Sequence, residues 1–107
     1  MENPDGVVVF YTAKAKPGKE RELRESLLAG VTGSRHDHGC VIYELHEFTD
    51  DPTTFFLYEQ WTSQQALDAH LATEPLQQFQ ARADQLIEGG FEAGMRQLKK
   101  LRPAPNR

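Results

Sequence analysis

The apolar positions change period several times along the chain, and each change marks an element. Residues 7–13 are Val, Val, Val, Phe, Tyr, Thr and Ala, a β-branched and aromatic run that predicts a strand. It is apolar on both alternating faces, so neither face is expected to meet water. Lys16, Pro17, Gly18 and Lys19 break the run, and Pro17 can open a helix because the first turn needs no backbone N–H from it. Leu23, Leu27, Leu28 and Val31 then recur at helical spacing between Glu and Arg. They predict a helix over residues 18–35, weakened in its last turns by Gly30 and Gly33.

After His38 and Gly39, residues 40–48 alternate and predict a second strand. Asp50, Asp51 and Pro52 signal a turn, and residues 54–61 predict a third strand, close enough to pair as a hairpin. A turn centred on Asp51 sets Glu44 opposite Tyr58 and Tyr43 opposite Glu59. One face then carries Val41, Tyr43, Leu45, Leu57, Glu59 and Trp61; the other carries Cys40, Ile42, Glu44, His46, Phe56 and Tyr58. A slip of one residue would exchange the faces.

Thr62 and Gln65 have capping-box spacing and predict a short helix whose inner face is Ala66, Leu67, His70 and Leu71. Thr73, Glu74 and Pro75 restart the chain as another helix, with Leu76, Phe79, Ala83, Leu86 and Ile87 as its apolar stripe. Gly89 and Gly90 stop it. Residues 91–101 predict a weaker, Gly-interrupted strand, and residues 103–107 a loose tail. The order β-α-β-β-α-β, with the second helical region in two pieces, is the ferredoxin-like split βαβ pattern of an α+β domain with an antiparallel sheet. Helices cover one sheet face. The other would expose Val, Tyr and Phe side chains, too many for a solvated surface, which predicts a homodimer packed through its sheets, a dimeric α/β barrel-type assembly.

Bulk properties narrow the function classes. With 107 residues the expectation is one domain over 1–107, its core at about 6–102. Net charge is -4, and the basic residues cluster only at Lys14, Lys16, Lys19 and at Lys99, Lys100, Arg102, which argues against nucleic acid as a partner. Cys40 is the single cysteine, so no internal disulfide or Cys-x-x-Cys site is expected. The polar residues 1–6 lack a signal-peptide core, and no apolar run approaches the ~20 residues that span a bilayer. A soluble, cytoplasmic protein without membrane contact is the expectation.

A set of ordered, correctly spaced residues carries a family resemblance. Pro17, Gly18 and Lys19, then Gly39 and Cys40, Tyr43 to Leu45, Tyr58 to Ser63, Ala66 and Leu67, and His70 and Leu71 together resemble the antibiotic-biosynthesis monooxygenase family. The resemblance spans residues 6–102 and implies a ferredoxin-like dimer. The family includes quinol and anthrone monooxygenases that work without a bound cofactor, a haem-degrading branch, and an isomerase of a phosphorylated dione. The haem branch typically carries an Asn on the first strand, a Trp in the short helix and an axial His about ten residues later. Those positions here are Tyr11, His70 and Gln80, and the amide of Gln80 is a poor substitute for an axial imidazole.

The resemblance therefore implies a cofactor-independent monooxygenase acting on quinols or anthrone-type polycyclic phenols with molecular oxygen. Such chemistry needs an apolar pocket for a small aromatic substrate, a base of tuned pKa and a few hydrogen-bond donors. The substrate supplies the electrons, so no flavin or metal is called for, and no Gly-rich dinucleotide fingerprint occurs. His70 is the candidate base; alternatively it is a structural histidine bonded across the helix break near Thr73. Trp61 and Phe79 could line the pocket or fill the core. Tyr43, Tyr58 and Tyr11 could bond a substrate oxygen or belong to the sheet and interface. Glu59, a carboxylate among apolar neighbours, must be paired or neutralised, and could orient another group. His36, Asp37 and His38 are too short a motif, at a helix end, to predict a metal site. An isomerase using the same pocket, with Lys14 or Lys16 for a phosphate, and a non-catalytic ligand-binding dimer are the competing expectations.

Overall fold

The computed structural model describes residues 6–101 and 103, so residues 1–5 and, Pro103 apart, the expected tail lie outside the described residues. The elements are β1 (Val7–Lys14), α1 (Glu20–Arg35), β2 (Cys40–Phe48), β3 (Asp51–Trp61), α2 (Gln64–Leu71), α3 (Glu74–Leu86) and β4 (Met95–Lys99). Their sheet order is β2-β3-β1-β4, with every neighbouring pair antiparallel. Each helical crossing skips one strand: β1 reaches β2 past β3, and β3 reaches β4 past β1. That is the ferredoxin-like α+β arrangement the element order predicts. Among the described residues, no helix is long and apolar enough to cross a membrane.

The hairpin register agrees with the pattern, with Glu44 opposite Tyr58 and Tyr43 opposite Glu59. Four local expectations are corrected. Pro17 does not begin α1: Lys19 N–H donates to Lys16 O at 2.9 Å, and Gly18 takes φ +83°, so a turn precedes the helix. Strand β3 begins at Asp51 rather than Thr54, because the Asp51 carboxylate accepts from Thr53 N–H and from both the Thr53 and Thr54 hydroxyls. Ser63, not Thr62, caps α2, its Oγ accepting from Ala66 N–H at 3.1 Å. Strand β4 is five residues, not eleven. Gly89 and Gly90 sit at positive φ, and Gly94 lies where a Cβ would meet the Thr12 carbonyl at 1.8 Å, so the chain turns before it can pair.

The sheet separates two surfaces by strict alternation. Toward the helices point Val9, Tyr11 and Ala13 of β1 and Phe55, Leu57, Glu59 and Trp61 of β3, all buried. They pack against Leu23 and Leu27 of α1, Leu67 of α2, and Ala83 and Leu86 of α3. A bulge between Cys40 and Ile42 corrects the expected facing of β2. Cys40 pairs with Trp61 and packs on the core, while Val41 is left 57% exposed. The opposite face carries an aromatic row. Phe10 meets Phe56 edge-on at 5.4 Å and Tyr58 at 5.7 Å, and Phe56 also touches His46 and Phe48.

Candidate active site

Between the helices and the sheet lies a cavity of about 780 Å³, bounded by α1, α3, the covered sheet face and the turn before β4. Leu27, Leu57, Leu71, Leu76, Phe79 and Phe91 give it apolar walls. At the rim, Arg82 of α3 reaches α1, donating to Ser26 Oγ at 2.6 Å and standing 3.8 Å from Glu22. Three of its polar lining groups come from separate elements: Glu59 from β3, His70 from α2, and Asp37 from the loop before β2.

His70 stands one helical turn from Ala66 and Leu67 on the inward side of α2, and is only 2% exposed. Its Nδ1 lies 2.7 Å from Asp37 Oδ2. The carboxylate accepts, so Nδ1 carries the proton and Nε2 keeps its lone pair. Burial pushes the His70 pKa below the usual imidazole value, and the Asp37 contact pulls it partly back. The neutral, proton-accepting form is thus the resting form at neutral pH. Across the helix break the Thr73 hydroxyl donates to the His70 carbonyl at 2.8 Å, a backbone contact that does not involve the imidazole ring.

Asp37 reaches His70 because the chain reverses sharply after it. Gly39 takes φ +84°, Cys40 N–H donates to Asp37 O at 3.1 Å, and Thr62 N–H donates to Gly39 O at 2.8 Å. A Cβ on Gly39 would lie 2.4 Å from that of Ala66, so only glycine lets this loop seat against α2. Sequence reasoning missed Asp37, which stood out only as the middle of His36-Asp37-His38. His36 instead bonds the Thr32 carbonyl at the end of α1, and no group of three potential metal ligands occurs among the described residues.

The remaining expected site residues divide. Tyr43, Tyr11, Phe79 and Glu59 line the cavity together with His70. Tyr11 donates its hydroxyl proton to Phe91 O at 2.6 Å, and burial raises the phenol pKa of both Tyr11 and Tyr43 well above the ordinary range. Phe79 packs edge-on against Phe91. Trp61 does not line the cavity. It is 1% exposed and stands behind the polar groups, its ring 4.4 Å from that of His70 and its Nε1 donating to Glu59 Oε1 at 2.9 Å. Tyr58 belongs to the opposite sheet face, where its hydroxyl accepts from Gln60, because β3 points only its odd-numbered residues at the helices. Gln80, at the haem branch's axial position, donates to Leu71 O at 3.1 Å and ties α3 to α2.

Comparison with known proteins places this geometry in context. The profile of the family described as antibiotic biosynthesis monooxygenase matches residues 6–82. PA3566 from Pseudomonas aeruginosa has a similar structure, at 29% identity and TM-score 0.85, covering 95% of this chain and 100% of its own. Rv0793 from Mycobacterium tuberculosis is similar at 27% identity and TM-score 0.83, covering 94% and 99% respectively. The protein sll1783 of Synechocystis sp. is 29% identical over 83 residues; the match takes in 78% of this chain, which spans only about half of that relative, 56% of its length.

Proposed function

The chain belongs to the antibiotic biosynthesis monooxygenase family, and from that premise we propose that it oxidises quinols or anthrone-type polycyclic phenols with molecular oxygen, without a bound cofactor. One observation carries the reading: a buried His70, fixed at Nδ1 by Asp37, faces an apolar cavity large enough for a fused aromatic ring system. A phenol bound there gives its proton to Nε2, the imidazolium is held by Asp37, and the ring becomes an electron-rich anion that oxygen attacks. For an anthrone-type methylene the balance is simple: the CH₂ carbon and one O₂ become a ketone and one water. Low polarity around the ring favours the reaction by excluding water from the anion.

A second copy of the chain is part of the reading. The open sheet face gathers Phe10, Phe56, Tyr58 and Phe48 in one row, with Glu44 across from Tyr58 and Arg96 across from Phe10, and the same face on a second copy would cover it through a two-fold contact.

The test is oxygen uptake by metal-stripped protein against hydroquinones, naphthoquinols and anthrones, with His70→Ala in parallel. Uptake above the autoxidation blank, reduced at least ~100-fold in the variant, is the expected result for loss of a general base. Full activity in His70→Ala would remove that residue's role. Turnover that persists without oxygen would favour an isomerase. Binding without product would favour a ligand-binding module.

A further inference from the structure

Glu59 has an open valence that the packing does not explain. It occupies a helix-facing position of β3 between Leu57 and Trp61, is 5% exposed, and lines the cavity. Only one of its oxygens is held among the described residues: Oε1 accepts from Trp61 Nε1 at 2.9 Å. Among the described residues no donor reaches Oε2, and no fully shielded side-chain oxygen lacks a partner. Oε2 must therefore meet open space, and the open space beside Glu59 is the cavity. The flanking phenols do not fill that role: Tyr11 donates to Phe91, and among the described residues the one hydrogen bond Glu59 accepts through its side chain comes from Trp61.

The indole of Trp61 fixes where this oxygen stands relative to His70. Its N–H edge holds Glu59 and its face packs on the imidazole. Tyr43 packs edge-on against both Trp61 and His70, locking the group from the side. Glu59 and His70, both of which line the cavity, thus stand against one indole that fixes the carboxyl through its N–H and packs on the imidazole. A half-satisfied buried carboxyl destabilises a fold, and such a group beside a cavity is the mark of a binding or reacting position. Burial also raises the Glu59 pKa to about 7, so near neutrality the group can either donate or accept.

We propose that Glu59 is a second contact for the bound ring, its Oε2 hydrogen-bonding one oxygen substituent while His70 Nε2 meets another. The cavity then selects aromatics bearing two oxygens, diols or hydroxy-ketones, over monophenols. The inference rests on the cavity being an aromatic-substrate site, not on the reaction being oxidative.

Binding under nitrogen separates the two. The single Trp61 lies against both contact groups, so its fluorescence can report occupancy by naphthol and by the isomeric naphthalenediols. Wild-type protein should bind at least one diol about tenfold or more tighter than naphthol, the scale of one hydrogen bond to a buried, ionisable group. Glu59→Leu should bring the two within about twofold of each other. Glu59→Gln, which keeps the side chain's shape and an acceptor for Trp61, should reduce the preference if the Leu variant fails to fold. Equal binding of naphthol and diols by wild type, no diol binding at all, or a preference that survives both substitutions would overturn the assignment. Diol preference without oxygen uptake would instead sink the oxidative reading and leave this one standing.

Discussion

The two faces of the sheet carry opposite kinds of residue, and each contradicts what its surroundings favour. The covered face, where apolar groups belong, holds Glu59 and receives His70 and Asp37. The open face holds Phe10, Phe56, Tyr58 and Phe48 where polar groups belong. Alternation along the same strands produces both: Phe56 and Tyr58 are one step out of phase with Leu57 and Glu59. Costly choices on both sides of one sheet are what the proposed reading requires, chemistry beneath the helices and a second copy on the open side. The comparison can be broken by exchanging a residue's character on either face.

The largest effect is expected on the open face. Phe56→Glu puts a charge in the centre of the aromatic row and, in a symmetric pair, does so twice. At about 2 kcal/mol for each unpaired charge the dimer should weaken by about a thousandfold. Analytical ultracentrifugation reads this directly, and an unchanged sedimentation profile would remove the second copy from the account. On the covered face the opposite exchange should stabilise. Glu59 has an ordinary carboxylate pKa of 4.5 when unfolded and about 7 when folded. The folded state therefore binds more protons in between, and stability is highest below pH 4.5 and falls as pH rises toward 7. The accumulated loss is at most about 3 kcal/mol. Glu59→Gln abolishes this slope, so denaturant midpoints of the variant and wild type should coincide near pH 4 and diverge, in the variant's favour, near pH 7. Parallel curves would mean that Glu59 is already neutralised by a partner.

How far the sequence revealed the two faces depends on the range of the interactions. Alternation and turn chemistry act over a few residues, and they placed β2 and β3 in register, with Tyr43 across from Glu59. They also placed His70 on the inward side of α2. The pair Glu59 and Trp61, two apart on one strand, carried a readable signal, because such residues share a face and can bond. The bulge at Cys40 to Ile42 left none: both readings of that stretch are equally apolar, and the exchange of Cys40 for Val41 is set by how Gly39 docks on α2. Asp37 and His70 are 33 residues apart, and no local pattern connects them. The site was legible as separate residues on elements, and illegible as a constellation.

Gly39 is where that long-range step is made, so it offers the next-smaller effect. Gly39→Ala forces a side chain into the left-handed region and into Ala66, and should cost about 2 kcal/mol of stability. Because the loop it would displace carries Asp37, activity should fall beyond what the lost folded fraction explains. Circular dichroism and oxygen uptake on the same samples separate the two losses. Activity that tracks folded fraction alone would show Gly39 to be structural only.

The smallest effect sharpens the covered face to a single proton. Asp37→Asn preserves the contact with His70 but removes the charge that favours a protonated ring. An amide can also donate to Nδ1, which would shift the imidazole proton to Nε2 and turn the base away from the substrate. About a tenfold fall in kcat/KM is expected, with KM nearly unchanged, since Asn keeps the size and shape of the side chain. The pH profile gives the sign. With His70 as the proposed base, activity requires its neutral form and rises as pH passes its pKa; Asp37 raises that pKa against the lowering effect of burial, so its loss moves the acid limb to lower pH. A profile that stays in place, with kcat/KM intact, would make Asp37 a surface contact and leave His70 to act alone. A limb that shifts with the rate would tie the base on α2 to the loop that Gly39 bends, which is the one connection between the covered face and the chemistry that the sheet itself does not supply.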